Sequence, residues 1–234
     1  MITLYGGEFS GGLISCRIKT LLYCYHDTQN APCLYKTGEG GVFCRFDDVI
    51  LLSGECDSAE LFEFADMLGI NRIEAEACSF GAPCGWETES FPILAAECVG
   101  ESENKPAELR RCFEIISSAD ADFKKQAQYL YWLSDMTRRI NRGRAKAYSL
   151  EDNGCALVTA ISSDAAYLSS VAVTPQKQGE KIGSRLLKAV LNDDFLRGKR
   201  LFTVAQSDDL IKFYKNNGFE PQNKRLKIFK RRKT

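Results

Sequence analysis

The chain is short of the residues on which nucleophilic hydrolases and zinc enzymes depend. It has one histidine, His26, set in an apolar stretch with helical spacing. A Ser-His or Cys-His nucleophile would have to use that residue, so covalent catalysis of this kind is not expected. An excess of one charge is also missing. Thirty-one Lys and Arg balance 31 Asp and Glu, for a formal net charge of zero. Whole-molecule attraction to nucleic acid or to an anionic membrane is therefore not indicated. No apolar run approaches the roughly 18 residues that a spanning helix needs. The opening residues, MITLYGGEFSGG, lack the basic-then-apolar build of a secretory signal. A cytoplasmic location is expected.

Cysteine is plentiful, at ten residues, but no two form a C-x-x-C pair. Zinc sites usually draw on such tight pairs, so no metal is expected. Without an export signal the ten read as reduced thiols, acting mainly as small buried hydrophobes.

The polar run Glu101–Glu108, broken by Pro106, reads as a boundary between residues 1–105 and 106–234. In the first part a helix is predicted from about Gly12 to His26. Val42–Phe46 and Val49–Leu52 read as strands joined at Asp47-Asp48. Asp57 with Glu60 resembles a capping box for a helix ending at Gly69. Ile73, Ala75 and Ala77 alternate with Glu74 and Glu76 as a strand. Residues 78–100 are predicted to be loop with a short strand near Ile93–Ala96, and Trp86, Phe80 and Phe91 in that loop either line a cleft or simply pack.

In the second part Cys112–Ile116 is predicted as a strand. A long helix capped by Asp120 or Asp122 is predicted to run through Ile140. Arg144–Leu150 and Ala156–Ile161 make a hairpin at Asp152-Asn153-Gly154. Tyr167–Val173, a helix from Ile182, Leu201–Ala205, a helix Asp208–Asn217 and a last strand Leu226–Phe229 follow. The expected class is α/β in the α+β sense: a mixed, mostly antiparallel central sheet flanked by helices. The basic tail from Lys224 reads either as a binder of acidic partners or as the guarded edge of a sheet, with the guard preferred.

One stretch is most informative. Val171–Val173, Pro175, the glycines Gly179 and Gly183 and the helix after them form a strand, a loop and a helix N-terminus. Free amides and the positive end of a helix dipole favour an anion there, as a pyrophosphate would require.

Two segments resemble the GCN5-related N-acetyltransferase family. Val171-Ala172-Val173-Thr174-Pro175 followed by Gln178-Gly179-Glu180-Lys181-Ile182-Gly183 is similar to its acyl-CoA signature. Phe213-Tyr214-Lys215-Asn216-Asn217-Gly218-Phe219 is similar to its tyrosine-to-Gly-Phe segment. The likeness covers about residues 107–234. It implies an acyl-CoA N-acyltransferase-like fold and acetyl-CoA as donor, held by Val171, Ala172, Val173, Gln178, Gly179, Glu180, Lys181, Ile182, Gly183 and Ser184. It also implies an amine acceptor, either a small molecule or a protein N-terminus, and Tyr214 as general acid for the leaving thiolate. The other reading of Tyr214 is a tyrosine packed beside Phe213. Lys181 stands where the family signature has glycine: a positive φ there would cost roughly 1–3 kcal/mol, whereas a helical position with negative φ would accommodate it. No general base is visible. A non-catalytic acyl-CoA-binding or regulatory protein of the same fold is the alternative function. Residues 34–77 repeat the second part's order in outline without a glycine loop, so two tandem lobes are expected, the first degenerate. An unrelated α+β domain is the alternative. Nothing in the sequence fixes the oligomeric state.

Overall fold

One topology occurs twice along the chain. In the computed structural model, which describes all residues except 10, 77, 103–106, 233 and 234, the chain packs as two units. Residues 1–93, 204–207 and 221–234 form the first, and residues 94–203 and 208–220 the second.

In the first unit, strand β1 (Thr3–Leu4) leads to helix α1 (Leu13–Tyr25). Strands β2 (Cys33–Lys36), β3 (Val42–Phe46) and β4 (Val49–Ser53) follow as an antiparallel set. Helix α2 (Ser58–Met67) then crosses to β5 (Arg72–Glu76), which lies parallel to β4. Apolar residues of β3, β4, α2 and β5 fill a core on one side of the sheet, among them Phe43, Ile50, Leu52, Leu61, Phe62 and Ile73. The sheet's mixed burial explains β5. Glu74 and Glu76 alternate with Ile73 and Ala75 as expected, yet both carboxylates are buried. Arg17 and Arg72 pair with Glu74. Glu76 accepts from the first-turn amide of Ile14 at 2.8 Å and lies 3.6 Å from the Lys224 ammonium. Buried charges persist because they are paired and hydrogen-bonded in this way.

The second unit contains helices α3 (Leu109–Ala119), α4 (Ala121–Gln126) and α5 (Tyr129–Asn141). Strands β7 (Lys146–Leu150), β8 (Gly154–Ile161) and β9 (Ala165–Val173) are antiparallel. Helix α6 (Ile182–Leu191) crosses to β10 (Arg200–Val204), parallel to β9. Helix α7 (Asp208–Asn216) comes next. The core here includes Cys112, Ile115, Ile116, Met136, Leu157 and Ala172. The result is the mixed, mostly antiparallel α/β fold that the sequence predicts.

Several expectations need correction. Cys112–Ile116 is not a strand but part of α3. Its buried residues, Cys112, Ile115 and Ile116, recur at helical spacing. The long helix is broken at Ala127 and Gln128, both extended, where Phe113, Phe123, Tyr129 and Trp132 cluster. The loop 78–100 holds a twelve-residue strand, β6 (Trp86–Glu97). Its polar first half and Pro92 disguise it. Trp86 and Phe80 are not cleft residues: they pack with Phe62 and Phe229. Only half of the capping box forms. Asp57 accepts from Ala59 and Glu60 amides, while the Glu60 carboxylate takes the Ile2 amide and the chain's amino terminus.

The final strand, β11 (Glu220–Arg231), is longer than expected and pairs antiparallel with β5. It lies between β5 and β6 in strand order, so its lysines do not guard an edge. They are spent on neighbours within the first unit: Lys227 donates to the Phe80 carbonyl, Lys230 pairs with Glu89, and Arg231 pairs with Asp66. Lys233 lies outside the described residues.

The polar run expected as a boundary contains residues 103–106, also outside the description. On either side the backbone is tied within the second unit. Glu101 and Ser102 amides donate to Asn192 O, and the Ala107 amide to Ala147 O. Packing instead divides the chain between Ile93 and Leu94, within β6, and returns residues 221–234 to the first unit.

Candidate active site

The site is built where β9 and β10 part. Their parallel register covers Arg200 with Ala165, Leu201 with Ala166 and Phe202 with Tyr167, and then stops. From Leu168 onward β9 continues beside β8 alone of these two neighbours. Its register there skips Ser169, an extra residue opposite the β8 ladder, whose hydroxyl donates to Leu157 O at 3.3 Å. A bulge of this kind bends the strand and re-aims its edge. The first unit has no such opening. There β4 and β5 stay in register over all five pairs from Val49–Arg72 to Ser53–Glu76.

The end of β9 is fixed by the β7–β8 turn. Thr174 donates its amide to Asn153 O at 2.8 Å and its hydroxyl to Asn153 Oδ1 at 3.2 Å. The turn itself sits one residue earlier than the sequence suggests. Glu151 and Asp152 take positive φ, at 54° and 52°, and Gly154 is already in the β8 ladder. Arg111 from α3 donates to Asp152 O, and Arg185 from α6 pairs with Glu151. Gly154 is needed for packing rather than for the turn. A Cβ there would come within 2.5 Å of Ile182 Cγ2 and 2.9 Å of Leu186 Cδ1.

The glycine loop then runs into α6. Gln178 Nε2 reaches back to Val173 O at 3.5 Å, and Lys177 neutralises Glu180 at 3.1 Å. Gly179 has φ 87°. Lys181 is the N-cap of α6 with φ 61° and ψ 13°, left-handed rather than helical. Of the two backbones open to Lys181 it takes the strained one, the conformation for which the family signature uses glycine. The first helical donor is the Arg185 amide, to Lys181 O at 3.0 Å. The amides of Ile182, Gly183 and Ser184 precede it and have no helical acceptor. No side chain caps them, and the first turn carries no acid. At α2 the matching amides are closed by Asp57. One unit thus presents an open, electropositive helix end, while the other fills it with its own carboxylate.

Gly183 lets α6 approach its neighbours. A Cβ at that position would lie 3.2 Å from Phe213 Cζ and 3.9 Å from Val171 Cγ1. Val171 and Val173 are half-buried, and Ala172 is in the core. Gln178, Gly179, Glu180 and Lys181 are exposed. Phe213 leads to Tyr214, which is 5% exposed and packs on the rings of Phe213 and Phe219, each 5.3 Å away. Thr203, where the β9–β10 pairing ends, donates its hydroxyl to Leu168 O at 3.1 Å. Burial pushes the phenol above its ordinary pKa range, against the smaller opposing effect of Thr203. Tyr214 therefore stays a neutral proton donor at physiological pH, and cannot serve as a base.

Comparison with known proteins agrees with this geometry. The acetyltransferase (GNAT) domain model matches residues 106–228, more than half of the chain. The chain belongs to the GNAT acetyltransferase family. Solved GNAT structures share its fold. A GCN5-related N-acetyltransferase from Kribbella flavida is 14% identical with a TM-score of 0.57, covering 93% of each chain. Another from Sphaerobacter thermophilus is 11% identical with a TM-score of 0.54, covering 99% of this chain and 95% of its own. At such identities the likeness is one of fold. No curated protein matches the sequence.

For this GNAT protein the sequence singles out the loop and Tyr214 but misses three supports. Ser169 could have been found, because Ser169-Ser170 interrupts an apolar strand. The Asn153–Thr174 tie and Thr203 leave no local signal. Among the described residues no group of three or more His, Cys, Asp or Glu is placed to hold a metal. No helix there is long and apolar enough to cross a membrane.

Proposed function

We propose that this protein is an N-acetyltransferase that moves acetyl from acetyl-CoA to a primary amine. The observation that carries the reading is the open N-terminus of α6 beside a β9 edge released from β10. In this reading the amides of Ile182, Gly183 and Ser184 receive the pyrophosphate of the donor. Gln178, Gly179, Glu180 and Lys181 form the loop around it, and the backbone of Val171–Val173 runs along the pantetheine arm. The amine attacks the thioester carbonyl, the carbon–sulfur bond breaks, and the thiolate takes the proton of Tyr214. The amine's surplus proton leaves to solvent. The acceptor is a small amine or a protein N-terminus. Nucleic acid and membrane are not partners in this reading, and the protein works in the cytoplasm.

The repeated strand–helix–strand topology supports two tandem lobes of common design. The capped α2 and the unbroken β4–β5 ladder make the first lobe one that takes no donor.

One observation favours a second reading, a non-catalytic acyl-CoA binder. Tyr214 is buried, packed between the rings of Phe213 and Phe219. The deciding experiment measures free thiol released from acetyl-CoA against a panel of amines, with calorimetric binding alongside. Tyr214→Phe should lower turnover by about 10²-fold or more, the usual scale of proton transfer, with acetyl-CoA affinity unchanged. Tight binding with no thiol released by any amine would favour the binder. Equal turnover in both proteins would remove Tyr214 from the mechanism.

A further inference from the structure

Arg45 carries a positive charge for which the first unit supplies no partner. The unit's other half-buried arginines, Arg17 and Arg72, both pair with Glu74. Among the described residues the Arg45 side chain has neither a hydrogen bond nor an ion pair, and its Nε is buried without an acceptor. A guanidinium only donates, and it cannot shed its charge. A buried donor left unpaired is costly, so this one calls for a partner from outside the chain. The space for one is there. Arg45 lines a cavity of about 350 Å³, room for far more than the single water that one donor would need. In the β2–β3 ladder Arg45 stands opposite Cys33. Two residues later Asp47 turns the chain into β4 with φ 51°. Asp47 lines the same cavity, yet no ion pair joins it to Arg45. Gln29 and Asn30, from the chain between α1 and β2, also line it, as do Cys33 and Phe46. The Phe46 ring is held against Tyr25 of α1, with centroids 4.7 Å apart.

We propose that this cavity binds a free α-amino acid. Its carboxylate pairs with the Arg45 guanidinium, whose planar donors match a carboxylate well. Its ammonium pairs with the Asp47 carboxylate. The neutral amides of Gln29 and Asn30 face the rest of the molecule. The charges on the wall select this class. A phosphate would bring surplus negative charge beside Asp47. A simple amine would leave Arg45 unpaired, and a simple carboxylate would leave Asp47 so. Two opposite charges that do not meet each other fit a ligand that carries one of each a short distance apart, and they reject ligands that carry only one. The first unit, which takes no donor in the reading above, thus has a ligand of its own. The assignment does not depend on that reading.

The test titrates the full chain by calorimetry with the common L-amino acids, with propionate and ethylamine, the two halves of alanine, and with inorganic phosphate. At least one amino acid should bind, and each half should bind at least about tenfold more weakly than it, because each forgoes a bond to a charged group. Arg45→Gln breaks no bond within the chain, and it should weaken the best amino acid by at least about tenfold. Asp47→Asn should weaken it on the same scale while leaving propionate unharmed, and asparagine suits the positive φ of that turn. No binding by any amino acid overturns the proposal, as does undiminished binding in Arg45→Gln. Phosphate or propionate binding more tightly than every amino acid also overturns it, by making the cavity an anion site. A further readout uses the wild-type protein. The Arg45 Nε–H resonance in a ¹⁵N NMR spectrum, assigned by its absence in Arg45→Lys, should shift as the amino acid is added. An amino acid bound only as an acetyl acceptor in the second unit would leave that resonance unmoved, which refutes this site and leaves the acetyltransferase reading intact. A shifted resonance in a protein that releases no thiol with any amine refutes the acetyltransferase reading and leaves this site intact.

Discussion

Lys181 should be the most improvable residue in the glycine loop. Its φ of 61° is left-handed, a conformation that costs an L-residue roughly 1–2 kcal/mol. No side-chain cap at this position repays the strain, and the residue is exposed. Replacing it with glycine removes that cost but enlarges the freedom of the unfolded chain, a loss of roughly 0.4–1 kcal/mol. The net gain is about 0.5–1 kcal/mol. For a chain of this size that corresponds to a rise in Tm of about 1–4 °C. Two companion variants separate strain from charge. Lys181→Ala keeps the left-handed strain and loses only the ammonium, so its Tm should match the wild type. Lys181→Asn should fall between, because asparagine tolerates this region better than other L-residues. Thermal unfolding followed by circular dichroism gives the order Gly, then Asn, then Ala with Lys. Acetyl-CoA titration of the same set asks the second question. If the amides hold the pyrophosphate, Lys181→Gly and Lys181→Ala weaken binding equally and only slightly. A Lys181→Gly protein melting at or below the wild-type temperature would show that the backbone here carries no strain, and the reasoning would be wrong.

Acetyl-CoA should bind with a stoichiometry of one per chain in calorimetry, because Asp57 closes α2 while the α6 amides are open; a value of two would refute the assignment of the donor to the second unit. Burial alone would raise the Glu74 pKa, but Arg17 and Arg72 overcome it and hold the carboxyl at about 2. Its unfolded value is about 4.3, so its stabilisation is complete above that pH and is lost as pH falls toward 2. The difference is roughly 3 kcal/mol, and the stability gap between wild type and Glu74→Gln in urea melts should narrow by about that amount from pH 5 to pH 2. A gap that stays constant would exclude the mechanism. Burial also pushes the thiols of Cys44, Cys56 and Cys98 up to about 12, whereas Cys84 is exposed. Iodoacetamide at pH 8 should therefore label Cys84 first in peptide mass spectra. Equal labelling of Cys56 would contradict the burial.

What the sequence shows plainly is local. Helix α6 declares itself through Ile182, Leu186, Leu187 and Val190, and α2 through Asp57 and Gly69. The donor loop and Tyr214 stand out because their residue types lie close together along the chain. The misses come from competition between local and tertiary preferences. Pro92, Glu87 and Glu89 argue against a strand at β6, yet the strand forms. Cys112 to Ile116 fits a short apolar run, and only its helical spacing of buried residues reveals α3. Residue type alone leaves the backbone of Lys181 open, and the turn into α6 makes it left-handed.

What the sequence hides most completely is which strand a late segment joins. A polar run with a proline resembles a linker because loops are usually polar, but polarity does not decide which strand a later segment will join. Leu226 to Lys230 pair with Glu76 to Arg72, about 150 residues back along the chain, and that choice has no local signature. It has a consequence for function. Residues 221–234 complete the core of the first unit through Phe229, which packs on Phe62 and Phe80. They follow α7 and Phe219, which hold Tyr214 in the second unit. A fragment beginning at residue 106 would keep every residue of the donor loop and Tyr214 but leave β11 without β5, its partner. That unpaired edge would be an aggregation hazard, and Phe229 would lose its packing on Phe62 and Phe80, so a fragment of residues 106–234 should be less soluble than the full chain.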